Sequence, residues 1–223
     1  MPQLEIAALS LADARNAAAG GADSLELLAD LPAGGLTPDL TVVRAIRDQL
    51  DELTLHVIVR PHARSFVYAP GDIQAIVDQT AAIRQTGVDG IVFGAQSPDG
   101  ALDIELIKRV ATAAAPLSVT VHRAIDTCRD PEAALAALVG VVPRILTSGP
   151  ADSAWAGRDG LTRWIKRFGA DFRFVSSGGL RAEQIPDMIA TGVHELHFGG
   201  AARTDDQVDV AKVEALRGAM RSA

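Results

Sequence analysis

Several short apolar runs in this chain end on, or enclose, side chains that hold anions or move protons. Arg60 closes one run. His122-Arg123 closes another, with Asp126 three residues on, and Thr147-Ser148-Gly149, Ser177-Gly178-Gly179 and His197 with Gly199-Gly200 close three more. Glu5 and Glu26 lie inside otherwise apolar runs, where a carboxylate is costly to bury unless a donor meets it. These residue types point to acid–base work on a small anionic ligand. Carboxylates and a histidine with a pKa near neutrality transfer protons. Arginine forks and the N–H groups of a glycine-rich turn grip phosphate or carboxylate oxygens. Glu5, Glu26, His122 and Asp126 are therefore the expected acid–base residues, with His122 exchanging a proton near pH 7. Arg60, Arg123, Thr147, Ser148, Ser177, Gly178, Gly179, His197 and Gly199 are the expected ligand contacts, and Arg203 adds a donor just past Gly199-Gly200. A purely structural alternative puts Glu5, Glu26, Arg60 and Arg123 in one salt-bridge layer.

A metal ion is the second chemistry to weigh. Its candidate ligands are Cys128, His122, His62 and His197, and Cys128 follows His122 closely enough for both to serve one site if the loop folds back. No C-x-x-C or H-x-x-x-H pair supplies a dedicated zinc signature. The bland reading of Cys128 is a half-buried thiol with no role. His56 falls inside an apolar run and reads as structural, His194 falls in a turn with no partner in view, and Trp155 and Trp164 read as packing or subunit contact.

The elements that must position these groups follow one local pattern. A helical run closes on glycine plus a small apolar residue, and a short hydrophobic strand begins at once: Gly21-Ala22-Asp23, Gly87-Val88-Asp89, Gly140-Val141-Val142, Gly169-Ala170-Asp171 and Gly192-Val193-His194. Glycine supplies the left-handed residue that ends a helix, and the apolar residue packs back on the last turn. Strands are expected near 4–7, 25–28, 55–60, 91–93, 117–121, 145–146, 172–175 and 196–198, with helices between them, including 38–49, 103–114 and one beginning near Arg181. Ser10 is the expected N-cap of the first helix, and Thr37, with Pro38 at the first helical position, that of the second. Eight alternating units argue for parallel pairing and closure into a compact (β/α)8 TIM barrel of one domain over residues 1–223. A doubly wound sheet competes, but Ala7-Ala8-Leu9-Ser10 stands where its G-x-G-x-x-G would be. In such a barrel the ligand site lies at the C-terminal ends of the strands, where the polar residues above fall.

Composition narrows the partners. The chain has 223 residues, 48% hydrophobic and 22% charged, the balance of an ordinary globular domain. A net charge of −7 and a pI near 5.2 offer no basic stripe for a nucleic acid. The longest apolar stretch, 133–142, falls short of the roughly 18 residues of a membrane span. One cysteine and no leader pattern point to the reducing cytoplasm. A small-molecule anion or a metal ion is the expected partner, with a homodimer expected from the commonness of that symmetry.

Longer motifs carry a resemblance. Leu4-Glu5-Ile6, Gly21-Ala22-Asp23 with Glu26-Leu27, Gly34-Gly35-Leu36-Thr37-Pro38, Val59-Arg60-Pro61, Val121-His122-Arg123-Ala124 with Asp126, Leu146-Thr147-Ser148-Gly149 and Gly178-Gly179 together resemble the CutC family, from Leu4 to about Ala202. The resemblance implies a TIM barrel and a link to copper homeostasis, with Cu(I) handled through cysteines. Where family members often carry those cysteines, this chain has Ala7, Ala8 and Leu28, and Cys128 is the one that matches. Cu(I) is soft and prefers thiolate or thioether ligands. Three functions follow as expectations: copper handling through Cys128 with His122, a barrel enzyme acting on a small phosphate or carboxylate, or a barrel serving protein assembly.

Overall fold

The computed structural model describes residues 1–223. Each apolar run forms a short strand: β1 (Gln3–Ala8), β2 (Ser24–Leu27), β3 (Thr54–Ile58), β4 (Gly90–Phe93), β5 (Ser118–Val121), β6 (Arg144–Thr147), β7 (Arg173–Ser176) and β8 (Glu195–Phe198). Between and after them run α1 (Leu11–Ala19), α2 (Leu40–Arg47), α3 (Pro70–Arg84), α4 (Ile104–Ala114), α5 (Pro131–Leu138), α6 (Ala154–Phe168), α7 (Ile185–Ala190) and α8 (Val210–Ser222). All neighbouring strands pair in parallel and β8 returns to β1, so the sheet closes as a TIM barrel. A small antiparallel hairpin, β9 (Arg203–Thr204) with β10 (Gln207–Val208), follows β8 and was not foreseen from the sequence.

Caps explain where two helices begin. Ser10 accepts from the Asp13 N–H at 3.1 Å, as expected for the start of α1. Thr37 does not cap α2. Asp39 takes that place, accepting from the Thr41 N–H at 2.7 Å, while the Thr37 hydroxyl accepts from the Arg60 N–H at 2.8 Å and so ties the loop after β2 to the end of β3. Near Arg181 a 3₁₀ turn, Ala182–Gln184, precedes α7, so the helix starts later than expected.

The main core lies outside the strands. A cluster of 52 buried residues joins their outward faces to the helices, whereas the second apolar cluster has four members, Ala7, Leu28, Ile58 and Val92. Alternation along β1–β8 leaves the opposite face for the barrel interior, and much of that interior is polar. Small residues on β4 and just past its end make space there. A Cβ on Gly90 would stand 2.6 Å from His56 Cδ2, and one on Gly94 would stand 2.5 Å from His122 Nδ1.

Candidate functional site

At the centre of the barrel stands Glu5, fully buried on β1. Its Oε2 accepts from Arg144 Nη2 at 2.6 Å and lies 3.1 Å from His56 Nδ1, while its Oε1 lies 3.0 Å from His197 Nδ1. Arg144 also reaches Glu195 at 2.7 Å and Thr120 at 3.0 Å, and Arg173 completes Glu195 at 3.1 Å. Burial alone would raise the Glu5 pKa, but Arg144 and the two imidazoles outweigh it and hold the carboxyl well below its usual range. The salt-bridge layer anticipated from the sequence therefore exists with different members. Glu5 pairs with Arg144, not with Arg60 or Arg123.

Above this layer a cavity of about 520 Å³ opens at the C-terminal ends of the strands. Glu26 and His197 form part of its floor, with Glu26 Oε2 3.6 Å from His197 Nε2. Burial raises the Glu26 pKa; it would lower that of His197, but the Glu5 hydrogen bond and the Glu26 charge win and raise it. One wall is Arg60, Phe66 and His122. Arg60 Nη1 donates to the carbonyls of Ala33 and Gly35 at 2.8 and 3.1 Å, and its Cζ lies 4.9 Å from the Phe66 ring centre. Another wall is Arg123, Ser177, Gly178, Gly179 and Arg181. Gly178 has φ +117, and a Cβ there would press on Arg123 Cζ at 3.3 Å, so the turn needs glycine for both conformation and space. Gly199 lines the cavity as well.

His122 departs from its expected role as a proton exchanger near pH 7. Its Nδ1 accepts from the Ala124 N–H at 3.1 Å, which assigns the ring proton to Nε2. Burial, with Arg60 next, pushes its pKa down to about 3, so the ring is a neutral donor at ordinary pH.

Asp126, Thr147 and Ser148 stand outside the cavity lining. Asp126 accepts from the Thr147 hydroxyl, from the Ser148 N–H at 2.9 Å and hydroxyl at 2.7 Å, and from Arg123 Nε at 3.0 Å. The three thus brace Arg123, whose Nη2 also meets the Asp152 carbonyl at 3.0 Å. Arg203 turns away to Asp13 at 3.0 Å and the Ala7 carbonyl at 2.7 Å. His62 meets Asp72, and His194, with no partner foreseen, accepts from the Phe174 N–H at 3.0 Å. Sequence reasoning missed Phe66 and Arg181 in the walls and Arg144 beneath the floor. The first two lie in loops without strand periodicity, and Arg144 opens its strand where others of the set close theirs.

A family model describes residues 2–215 as the CutC family. This chain belongs to the CutC family. A CutC protein of Mesorhizobium japonicum is 40% identical over 200 residues, covering 89% of this chain and 77% of that one. Another from Bacteroides thetaiotaomicron is 36% identical over 198 residues, covering 88% and 80%. The crystal structure of the CutC protein of Streptococcus agalactiae, named for copper homeostasis, superposes with TM-score 0.84 at 23% identity, over 89% of this chain and 98% of that one.

Copper chemistry can be set against the donors present in this CutC chain. Cys128 is buried in the outer core, its thiol pKa raised by burial, and it does not line the cavity. Ala7 and Leu28 belong to the four-residue apolar cluster inside the barrel, so two positions named by the family resemblance meet there without thiols. Three possible ligand atoms come within 4.8 Å of one another at Glu5, Glu26 and His197, a group that includes neither Cys128 nor His122. Two of its three donors are carboxylate oxygens, which suit soft Cu(I) poorly, and Arg144 already occupies Glu5. No helix is long and apolar enough to cross a membrane.

Proposed function

We propose that this CutC-family protein binds a small anionic molecule, bearing phosphate or carboxylate, in the cavity at the C-terminal mouth of its barrel. The observation that carries this reading is the convergence of Arg60, Arg123 and Arg181 with the Ser177-Gly178-Gly179 turn on one cavity. The N–H groups of Gly178 and Gly179 have no acceptor within the protein, which suits them to an oxyanion. Asp126 holds Arg123 in place through Nε and leaves the rest of the fork to the Asp152 carbonyl, Ser148 and a ligand. Family membership favours a role connected with copper homeostasis, but the single buried thiol argues against Cu(I) as the direct ligand of this chain. The reading includes a reducing cytoplasmic setting, which suits the free thiol, and a homodimer.

Thermal unfolding in increasing inorganic phosphate tests the site. A ligand at about 100 times its Kd stabilises the native state by about 2.7 kcal/mol, a shift of several degrees in Tm. The shift is expected for the native protein and is expected to disappear in Arg181→Ala and Arg123→Ala. No shift with phosphate, with phosphorylated sugars or with small carboxylates overturns the reading. An anaerobic Cu(I) competition titration beside Cys128→Ala tests the copper alternative: tight one-to-one binding lost in the variant would replace an anion by copper as the ligand.

A further inference from the structure

Two buried N–H donors in one wall of the cavity have no partner. They are His122 Nε2 and Arg60 Nε, on residues 5% and 7% exposed. The Phe66 ring lies against both, its centre 4.8 Å from that of His122 and 4.9 Å from Arg60 Cζ. A buried donor left unpaired costs about 1–3 kcal/mol, so a wall that keeps two is organised for an acceptor supplied from outside. Neither group is loose. Arg60 is held by the Ala33 and Gly35 carbonyls, and His122 by the Ala124 N–H at Nδ1, with the bare backbone of Gly94 close by that edge of the ring. A neutral imidazole held as the Nε2–H form is a donor that stays matched to an oxygen while negative charge builds on it.

Glu26, on the floor of the same cavity, makes no hydrogen bond to the protein; the nearest cationic group is His197 Nε2 at 3.6 Å. His197 is itself oriented by Glu5 at 3.0 Å, which Arg144 holds in turn. A carboxylate in this position has its lone pairs free for a substrate proton, and burial makes it a stronger base than an exposed one.

Resting on the anion-binding reading, we infer that the cavity takes a phosphorylated or carboxylated α-hydroxycarbonyl compound and shifts a proton from its hydroxyl-bearing carbon to its carbonyl carbon. Glu26 takes the proton from the hydroxyl-bearing carbon. The C–H electron pair becomes the carbon–carbon double bond, and the carbonyl π pair moves onto oxygen, facing the His122 and Arg60 N–H groups. The neighbouring hydroxyl proton passes to that oxygen; the oxygen it leaves forms the new carbonyl with its lone pair, and the carbon–carbon double-bond pair takes the proton back from Glu26 onto the former carbonyl carbon. The substrate is isomerised with atoms and electrons conserved, and neither oxidant nor reductant is required.

Proton NMR in D2O tests this step with dihydroxyacetone phosphate, ribulose 5-phosphate and hydroxypyruvate as probes. Protein-dependent loss of the α-proton signal is expected for at least one of them. Glu26→Gln is expected to slow that exchange about 10²–10⁴-fold while the Tm shift given by the same probe is retained. His122→Gln is expected to lower kcat about 10²-fold or more with little change in KM, whereas a merely structural role would leave kcat per folded molecule unchanged. Should His122→Gln not fold, Glu26→Gln decides alone, and Cys128→Ala is expected to leave exchange unaltered. A Tm shift with no exchange for any probe overturns the isomerase inference and leaves the anion site standing. No shift and no exchange overturns both.

Discussion

Arg144 shows how much of this site depends on a residue that never touches a ligand. Its guanidinium is buried between Glu5 and Glu195, and those two carboxylates, outweighing burial, raise its pKa. Removing one partner of a buried ion pair typically costs 3–5 kcal/mol, because the other charge is left without compensation. Arg144→Met is therefore expected to lower stability by about that amount, measured by urea unfolding at pH 7. Adding Glu5→Gln is expected to recover part of the loss, since the stranded charge is then gone. If the double variant is as unstable as the sum of the two singles, the pair is not the unit that matters. A different residue-scale dependence joins Asp126 to the mouth. Asp126→Asn weakens the contact to Arg123 Nε without touching the cavity lining, so anion affinity is expected to fall several-fold with little change in fold, read by titration calorimetry with phosphate.

At the scale of elements, β4 is the strand that makes room. Its interior positions are Gly90 and Val92, Gly94 stands just past its end, and the two glycines face His56 and His122. Gly94→Ala would place a Cβ 2.5 Å from His122 Nδ1 and 3.0 Å from the Ala124 side chain, so the ring must leave the Ala124 N–H. A loss of about 1–3 kcal/mol is expected from such overpacking, with a change in the His122 imidazole nitrogen shifts by NMR; an unshifted imidazole would show that β4 yields instead. The sequence made the barrel readable because five helix ends repeat the same glycine signal and the strands are short and mainly apolar. Arg60 and Arg123 were readable as mouth residues because they follow strands β3 and β5. The role of Asp126 was not, since its spacing from Arg123 serves a cavity contact and a brace equally well. Nor was the state of His122 legible, because it depends on a backbone N–H two residues away and on the burial that Phe66 and Gly94 create.

For the whole molecule, His122, Glu5 and His197 each change how stability follows pH. His122 carries a proton in the unfolded chain below its ordinary 6.5, but in the native state only below about 3. Between those values the unfolded state binds more protons, so stability falls as pH falls, by up to about 1.4 kcal/mol per unit. Glu5 acts in the same direction at lower pH: its depressed pKa stabilises the fold above the usual carboxylate value, and that stability is lost as pH drops through the native one. His197 acts oppositely. Its raised pKa contributes stability that is complete below 6.5 and is lost as pH rises through the native value. The two histidines thus place the most stable range close to 6.5, where the window of one ends and that of the other begins. Urea midpoints between pH 4 and 8 test the assignment on two variants. His122→Gln is expected to flatten the acid limb between 6.5 and 4, and His197→Gln the alkaline limb above 6.5. An acid limb of unchanged slope in His122→Gln would mean that the ring is protonated in the native protein, and the donor role inferred for Nε2 would lose its basis.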